Sequence, residues 1–222
     1  MQLDKLLLAN MKPTRLTPRL IALLALLFAT NLLASSESSK RILFLGDSLT
    51  AGYGINPQFA YPNRIAKKIE TLGLDYSVTP AGLSGETSAG GLRRANWVMQ
   101  KPVSILVIAL GANDGLRGID LSDTRKNLQG IIDLARKKYP EVKIVLAGMQ
   151  MPPNLGEDYT KEFRTMYPSL AEANQAALIP FLLEGVGGNP ELNIADGIHP
   201  NPDGHAIVAE TVWKVLEPLL TK

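Results

Sequence analysis

Arg41-Ile42-Leu43-Phe44-Leu45-Gly46-Asp47-Ser48-Leu49-Thr50 is an apolar run that stops at a glycine and then presents an acid and a hydroxyl. The run has the length of a buried strand, and Asp47 and Ser48 stand where a helix would start. The spacing predicts a strand ending in a tight turn, with the Ser48 side chain at the C-terminal edge of a sheet. Ligands and nucleophiles of open α/β sheets collect at that edge. The same two residue types also cap helices, by accepting hydrogen bonds from orphan backbone N–H groups. Taken alone, the stretch supports both readings.

Far downstream, Asp196-Gly197-Ile198-His199-Pro200-Asn201 sets a carboxylate three residues before one of the chain's two histidines. A serine attacks poorly at neutral pH unless a base takes its proton, and the base works best when a carboxylate holds its other ring nitrogen. One short segment supplies both partners. Between the two ends, Ala81-Gly82-Leu83-Ser84-Gly85-Glu86-Thr87 and Gly111-Ala112-Asn113-Asp114 each follow an apolar run, so they are expected at the same sheet edge. An Asp-x-x-His pair also occurs in metal sites, but no third or fourth ligand cluster accompanies this one. The second histidine, His205, reads as a solvated or capping residue of the last helix.

With these four segments in this order the chain resembles the GDSL, or SGNH, hydrolases, and among them the secreted bacterial branch of arylesterases, acyl thioesterases and lysophospholipases. The family's four marker residues match Ser48, Gly85, Asn113 and His199. The resemblance runs from Arg41 nearly to the C-terminus. It implies a Ser48–His199–Asp196 triad, and an oxyanion hole built from the Ser48 and Gly85 backbone N–H groups and the Asn113 amide. It also implies a flavodoxin-like strand order and a hydrolase that needs no cofactor and no metal. Asp47 is expected to hold the turn, and Asp114 to brace its loop. The chain departs from the thioesterase-like pattern at Ala112, where that branch has glycine, and at Leu155, where its acyl-binding loop has tyrosine. The segment Met151-Pro152-Pro153-Asn154 falls where that loop would lie, which makes Leu116, Met151 and Pro152 candidates for the acyl surface. Met149 is a further candidate, with a core role as its alternative.

The 222 residues suit one domain behind a leader, and 45% hydrophobic residues suffice for a single core. Lys12, Arg15 and Arg19 precede an apolar stretch from Leu20 to Phe28, and Ala34-Ser35-Ser36 offers a small-x-small exit. That layout predicts a signal peptide over residues 1–36, whose translation could begin at Met11, followed by a single catalytic domain over 37–222 in the periplasm or outside the cell. An uncleaved anchor is the rival reading; Thr30 and Asn31 interrupt the run before the ~20 apolar residues that a span requires. The leader carries most of the basic excess: the remainder has 19 basic and 20 acidic residues, a formal charge of −1. No basic patch invites nucleic acid, and the expected partner is a small-molecule or lipid-like ester or thioester. With no cysteine in the chain there is neither a disulfide nor a lipid-modified terminus.

In chain order, strands are expected to Gly46, over Asp75–Thr79, over Val103–Leu110, over Lys143–Met149 and over Leu178–Leu182. Helices are expected from Tyr61 to about Gly73, from the glycine-rich segment to Trp97, from an N-cap at Ser122 to Tyr139, over Glu162–Ala177, and from Pro202 onward. The last helix is expected to bury Ile207, Val208, Val212, Val215 and Leu216. Strands alternating with helices give right-handed crossovers and a three-layer α/β/α domain with about five parallel strands. Two further functions stay open at this stage. One is deacetylation of sugars on the same fold, which would ask for a polar site; the other is a non-enzymatic phosphate-binding module, which would ask for a glycine-rich fingerprint that the chain lacks.

Overall fold

Ile105-Leu106-Val107-Ile108-Ala109 has no side chain that gains from water, and in the computed structural model it is the middle strand of a five-stranded parallel sheet, buried at every position. The structure describes residues 40–220; the expected leader over residues 1–36 lies outside them. The elements are β1 (Lys40–Gly46), α1 (Ser48–Ala51), α2 (Tyr61–Thr71), β2 (Tyr76–Gly82), α3 (Ser88–Val98), β3 (Ile105–Ala109), α4 (Ala112–Leu116), α5 (Leu121–Lys138), β4 (Lys143–Ala147), α6 (Glu157–Ala173), β5 (Ala177–Ile179) and α7 (Pro202–Leu216). Strand order is β2-β1-β3-β4-β5, the flavodoxin-like order. Helices α2 and α7 pack together, while α3, α5 and α6 pack side by side. Right-handed crossovers put these two sets on opposite faces. No helix among the described residues is long and apolar enough to cross a membrane.

Register is what positions the site. Gly46 pairs with Gly82 on one side and with Ala109 on the other, so β1, β2 and β3 end level with one another. The segments carrying Ser48, Gly85 and Asn113 therefore leave the sheet side by side. A Cβ on Gly82 would stand 2.2 Å from the backbone nitrogen of Ala51, so glycine there lets α1 lie directly against the sheet edge.

Several boundaries differ from the sequence expectation. β2 runs on through Pro80 to Gly82; it is an edge strand, where a missing N–H need not cost a ladder bond. The α5 cap is Asp120, whose Oδ1 accepts the Ser122 N–H at 2.8 Å, and not Ser122 itself. α6 begins at Glu157 and ends at Ala173, so it starts five residues and stops four residues before the bounds that the apolar spacing suggested. β5 stops at Ile179, whose carbonyl accepts the Gly148 N–H at 2.8 Å, and the chain then turns away from the strand direction. Leu182 is still buried, but in the following turn, where its N–H reaches the Gly148 carbonyl. On α7 the core stripe is His205, Val208, Ala209, Val212, Trp213 and Leu216, while Ile207 faces outward. His205 is thus a core residue, not a solvated one: its Nδ1 accepts the Tyr61 N–H and its ring stacks on Tyr61.

Candidate active site

Ser48 is the first residue of the single-turn helix α1, and Asp47 caps it by accepting the Leu49 N–H on Oδ1 at 3.0 Å. The hydroxyl of Ser48 lies 2.8 Å from Nε2 of His199, and Nδ1 of His199 lies 2.7 Å from Oδ2 of Asp196. With Nδ1–H donating a hydrogen bond to the Asp196 carboxylate, Nε2 is left as the acceptor for the serine hydroxyl. Asp196 is itself fixed, because its Oδ1 accepts the Ile198 and His199 N–H groups at 2.9 and 3.0 Å. The His199 carbonyl closes the loop by accepting the Ile194 N–H at 2.8 Å. Desolvation works to raise the Asp196 carboxyl, but the two N–H donors and His199 outweigh it and bring it down to about 2. Asp196 is therefore anionic at neutral and mildly acidic pH, so it can stabilise an imidazolium beside it.

Gly85 sits at φ +77°, a conformation that strongly favours glycine. The loop bearing it is anchored at Glu86, a buried carboxylate that Arg94 holds through Nε at 2.6 Å and Nη2 at 2.5 Å. The same guanidinium donates to the Ala81 and Gly46 carbonyls at 2.6 and 3.2 Å, which ties the loop to the ends of β2 and β1. Asn113 is the second residue of the short helix α4, and its Nδ2 donates to Oδ2 of Asp47 at 3.4 Å. Asp114 is fully buried. It accepts the Ser88 N–H at 2.8 Å, the Ser88 hydroxyl and the Thr124 hydroxyl, and so braces α4 against the starts of α3 and α5. Burial pushes the Asp47 carboxyl up to about 6, even though the Leu49 N–H, His199 and Asn113 all favour its charged form. Among the described residues no group of three or more His, Asp or Glu side chains could hold a metal ion.

Residues 44–207 match the model of the GDSL-like lipase/acylhydrolase family. The chain belongs to that family. Among its curated relatives are esterase TesA of Pseudomonas aeruginosa, 39% identical over 85% of this chain and 94% of that protein, and an arylesterase of Vibrio mimicus, 37% identical over 89% and 98%. The thioesterase 1/protease 1/lysophospholipase L1 of Escherichia coli is 34% identical over 89% of this chain and 93% of that one. A crystal structure of TesA superposes with a TM-score of 0.78 at 38% identity, covering 82% of this chain and all of that one.

In this GDSL hydrolase the apolar candidates divide by exposure. Leu116 is half exposed and Pro152 is exposed. Met151 is half buried, with its sulfur lying over Gly115, where a Cβ would stand 2.3 Å away. Met149 is buried and belongs to the core. Leu83 and Ile198 stand exposed beside Gly85 and His199 in the sequence. Sequence reasoning missed the Glu86–Arg94 pair, because eight residues and a change from loop to helix separate the partners. It also missed Arg117, whose Nη2 donates to the Gly85 carbonyl at 2.9 Å, and Tyr53, which lies against His199. An exposed arginine or tyrosine carries no pattern that marks it in a single sequence.

Proposed function

We propose that the protein hydrolyses carboxylic esters and thioesters, with aryl esters, acyl thioesters and lysophospholipids as the substrate classes, through an acyl-enzyme on Ser48. The observation that carries this reading is the unbroken chain Ser48 Oγ, His199 Nε2, His199 Nδ1, Asp196 Oδ2, with both links under 3 Å, at a sheet edge. His199 takes the hydroxyl proton as Ser48 Oγ bonds to the substrate carbonyl carbon. The oxygen that gains charge is met by the Ser48 and Gly85 N–H groups and by the Asn113 amide, each good donor worth ~3 kcal/mol in the transition state. Collapse expels the alcohol or thiol, which leaves with the proton from His199. Water then repeats the sequence against the acyl-serine and frees the acid. Leu116, Met151 and Pro152 form the acyl surface in this reading, and their apolar character favours acyl chains over the acetylated sugars of the rival reading. The basic-then-apolar leader supports export to the periplasm or beyond; N-terminal sequencing of material from a secreting host should begin near Glu37.

The experiment is a mass measurement after treatment with an alkyl phosphonate ester, together with turnover of p-nitrophenyl esters and acyl thioesters of graded length. One adduct per chain on the peptide containing Ser48, with loss of turnover, is expected. A chain that takes no adduct and turns over neither ester class would leave only the binding-module reading.

A further inference from the structure

The loop Gly52-Tyr53-Gly54 follows the nucleophile helix and is not used by the mechanism above. An exposed tyrosine by itself signifies little, but this one is aimed. Its backbone N–H donates to the Ser48 carbonyl at 3.1 Å, which ties it to the nucleophile turn. The glycines on either side both hold left-handed conformations, φ +72° and +77°. A Cβ on Gly54 would stand 2.5 Å from Cδ1 of Ile194, so this loop sits directly against the loop that carries Asp196 and His199. The Tyr53 ring then meets the His199 ring at 4.7 Å between centroids, inclined by 45°, while about half of the tyrosine remains exposed.

We propose that Tyr53 is a positioning residue for the reaction, the aromatic face against which His199 is held and beside which its ring becomes cationic. The proposal rests on the roles given above to Ser48 and His199. An aromatic face within about 6 Å of a cation attracts it. As the base of the proposed mechanism, His199 gains its positive charge in the step that takes the serine proton. The attraction is therefore gained on the way to the transition state, and it acts on kcat rather than on KM.

The test compares wild type, Tyr53→Phe, Tyr53→Leu and Ser48→Ala on p-nitrophenyl acetate, whose acyl group is too short to use a distant wall, with melting temperatures alongside. Tyr53→Leu should lower kcat about fivefold with KM within about twofold and an unchanged melting temperature, and Tyr53→Phe should keep kcat within about twofold of wild type. Wild-type kcat in Tyr53→Leu overturns the proposal. So does an equal loss in Tyr53→Phe, which would assign the effect to the hydroxyl, and so does a rise in KM alone, which would make the ring a substrate wall. A loss of kcat that tracks a fall in melting temperature in both variants also overturns it, by reducing Tyr53 to a support of the loop. Turnover surviving in Ser48→Ala would sink the proposed function itself. An inactive Ser48→Ala beside a Tyr53→Leu that behaves as wild type would sink only the role of Tyr53.

Discussion

Asp47 faces two ways: Oδ1 closes the α1 cap and Oδ2 receives the Asn113 amide. The two duties separate by substitution. Asp47→Asn can keep its side-chain oxygen on the Leu49 N–H, but it turns an NH2 toward the NH2 of Asn113, donor against donor. The cap survives and the amide loses its orientation. We expect kcat to fall ~10-fold with the melting temperature little changed, and Asp47→Ala to lose in addition ~1 kcal/mol from the missing cap. Asn113→Ala should lower kcat ~100-fold with little effect on KM, because an oxyanion donor acts mainly in the transition state. Steady-state kinetics and thermal melts on the three variants check this; an Asp47→Asn enzyme with wild-type kcat would reduce Asp47 to a cap. Ser48, Asp196 and His199 were legible in the sequence because their chemistry is local. The acid and histidine share one short loop, and the serine follows a run that can only be a strand. The second duty of Asp47 was not legible, since its partner lies on a different strand's loop, 66 residues away.

At the level of elements, the site is a set of loops held at one sheet edge by side chains from the helices. β1 and β3 could be read from their apolar runs, as could the alternation that fixes the parallel sheet. The ends of α6 and β5 could not, because the acidic first turn of α6 at Glu157 and Asp158 lies outside the apolar spacing, and Leu182 is buried in the turn after β5 just as it would be in a strand. The loop ties were equally hidden. Arg94 and Glu86 form a pair with side chains 20% and 4% exposed, and removing one partner leaves the other charge buried. Arg94→Met should therefore cost ~3 kcal/mol of stability, and Glu86→Gln combined with Arg94→Met should recover part of that loss; denaturant midpoints of the single and double variants measure the coupling. Leu116 tests the acyl surface more cleanly than Met151, which also fills space over Gly115 next to Phe163. Leu116→Ser should penalise long acyl chains by ~1 kcal/mol per methylene no longer covered and leave acetate esters nearly unaffected. A uniform drop in kcat/KM from acetyl to decanoyl esters would assign Leu116 to the fold instead.

Across the whole molecule two buried groups answer acid in opposite directions. Burial, with Arg64 and His199 adding to it, lowers His205 from 6.5 to about 4, so the folded chain keeps this ring neutral where an unfolded chain would protonate it. Its contribution is complete above pH 6.5 and is lost as the pH falls toward 4, a loss of ~3 kcal/mol. Asp47 is raised from 3.8 to about 6, so the folded state takes up a proton first, and stability is gained as the pH falls from 6 toward 4 by a similar ~3 kcal/mol. The two slopes nearly cancel. Wild-type stability should be almost level between pH 6.5 and 4 and then fall below 4, where Asp196, held at about 2 in the folded state, is protonated first in the unfolded chain. Substitution uncovers each slope. His205→Asn, whose side-chain oxygen can still accept the Tyr61 N–H, should gain stability on acidification, whatever its packing loss at neutral pH. Asp47→Asn should lose stability over the same interval, because only the histidine slope remains. Urea midpoints at pH 7, 5.5 and 4.5 for the three proteins give the comparison. A wild type that weakens by the full histidine amount between pH 6.5 and 4.5 would mean that Asp47 takes up no proton there, and Asp47 would then hold the Asn113 amide as a carboxylate throughout that range. If the slopes do cancel, Asp47 is neutral at pH 4.5, its hold on Asn113 is weakened, and kcat should decline below pH 6 in a protein whose fold stays as stable as before.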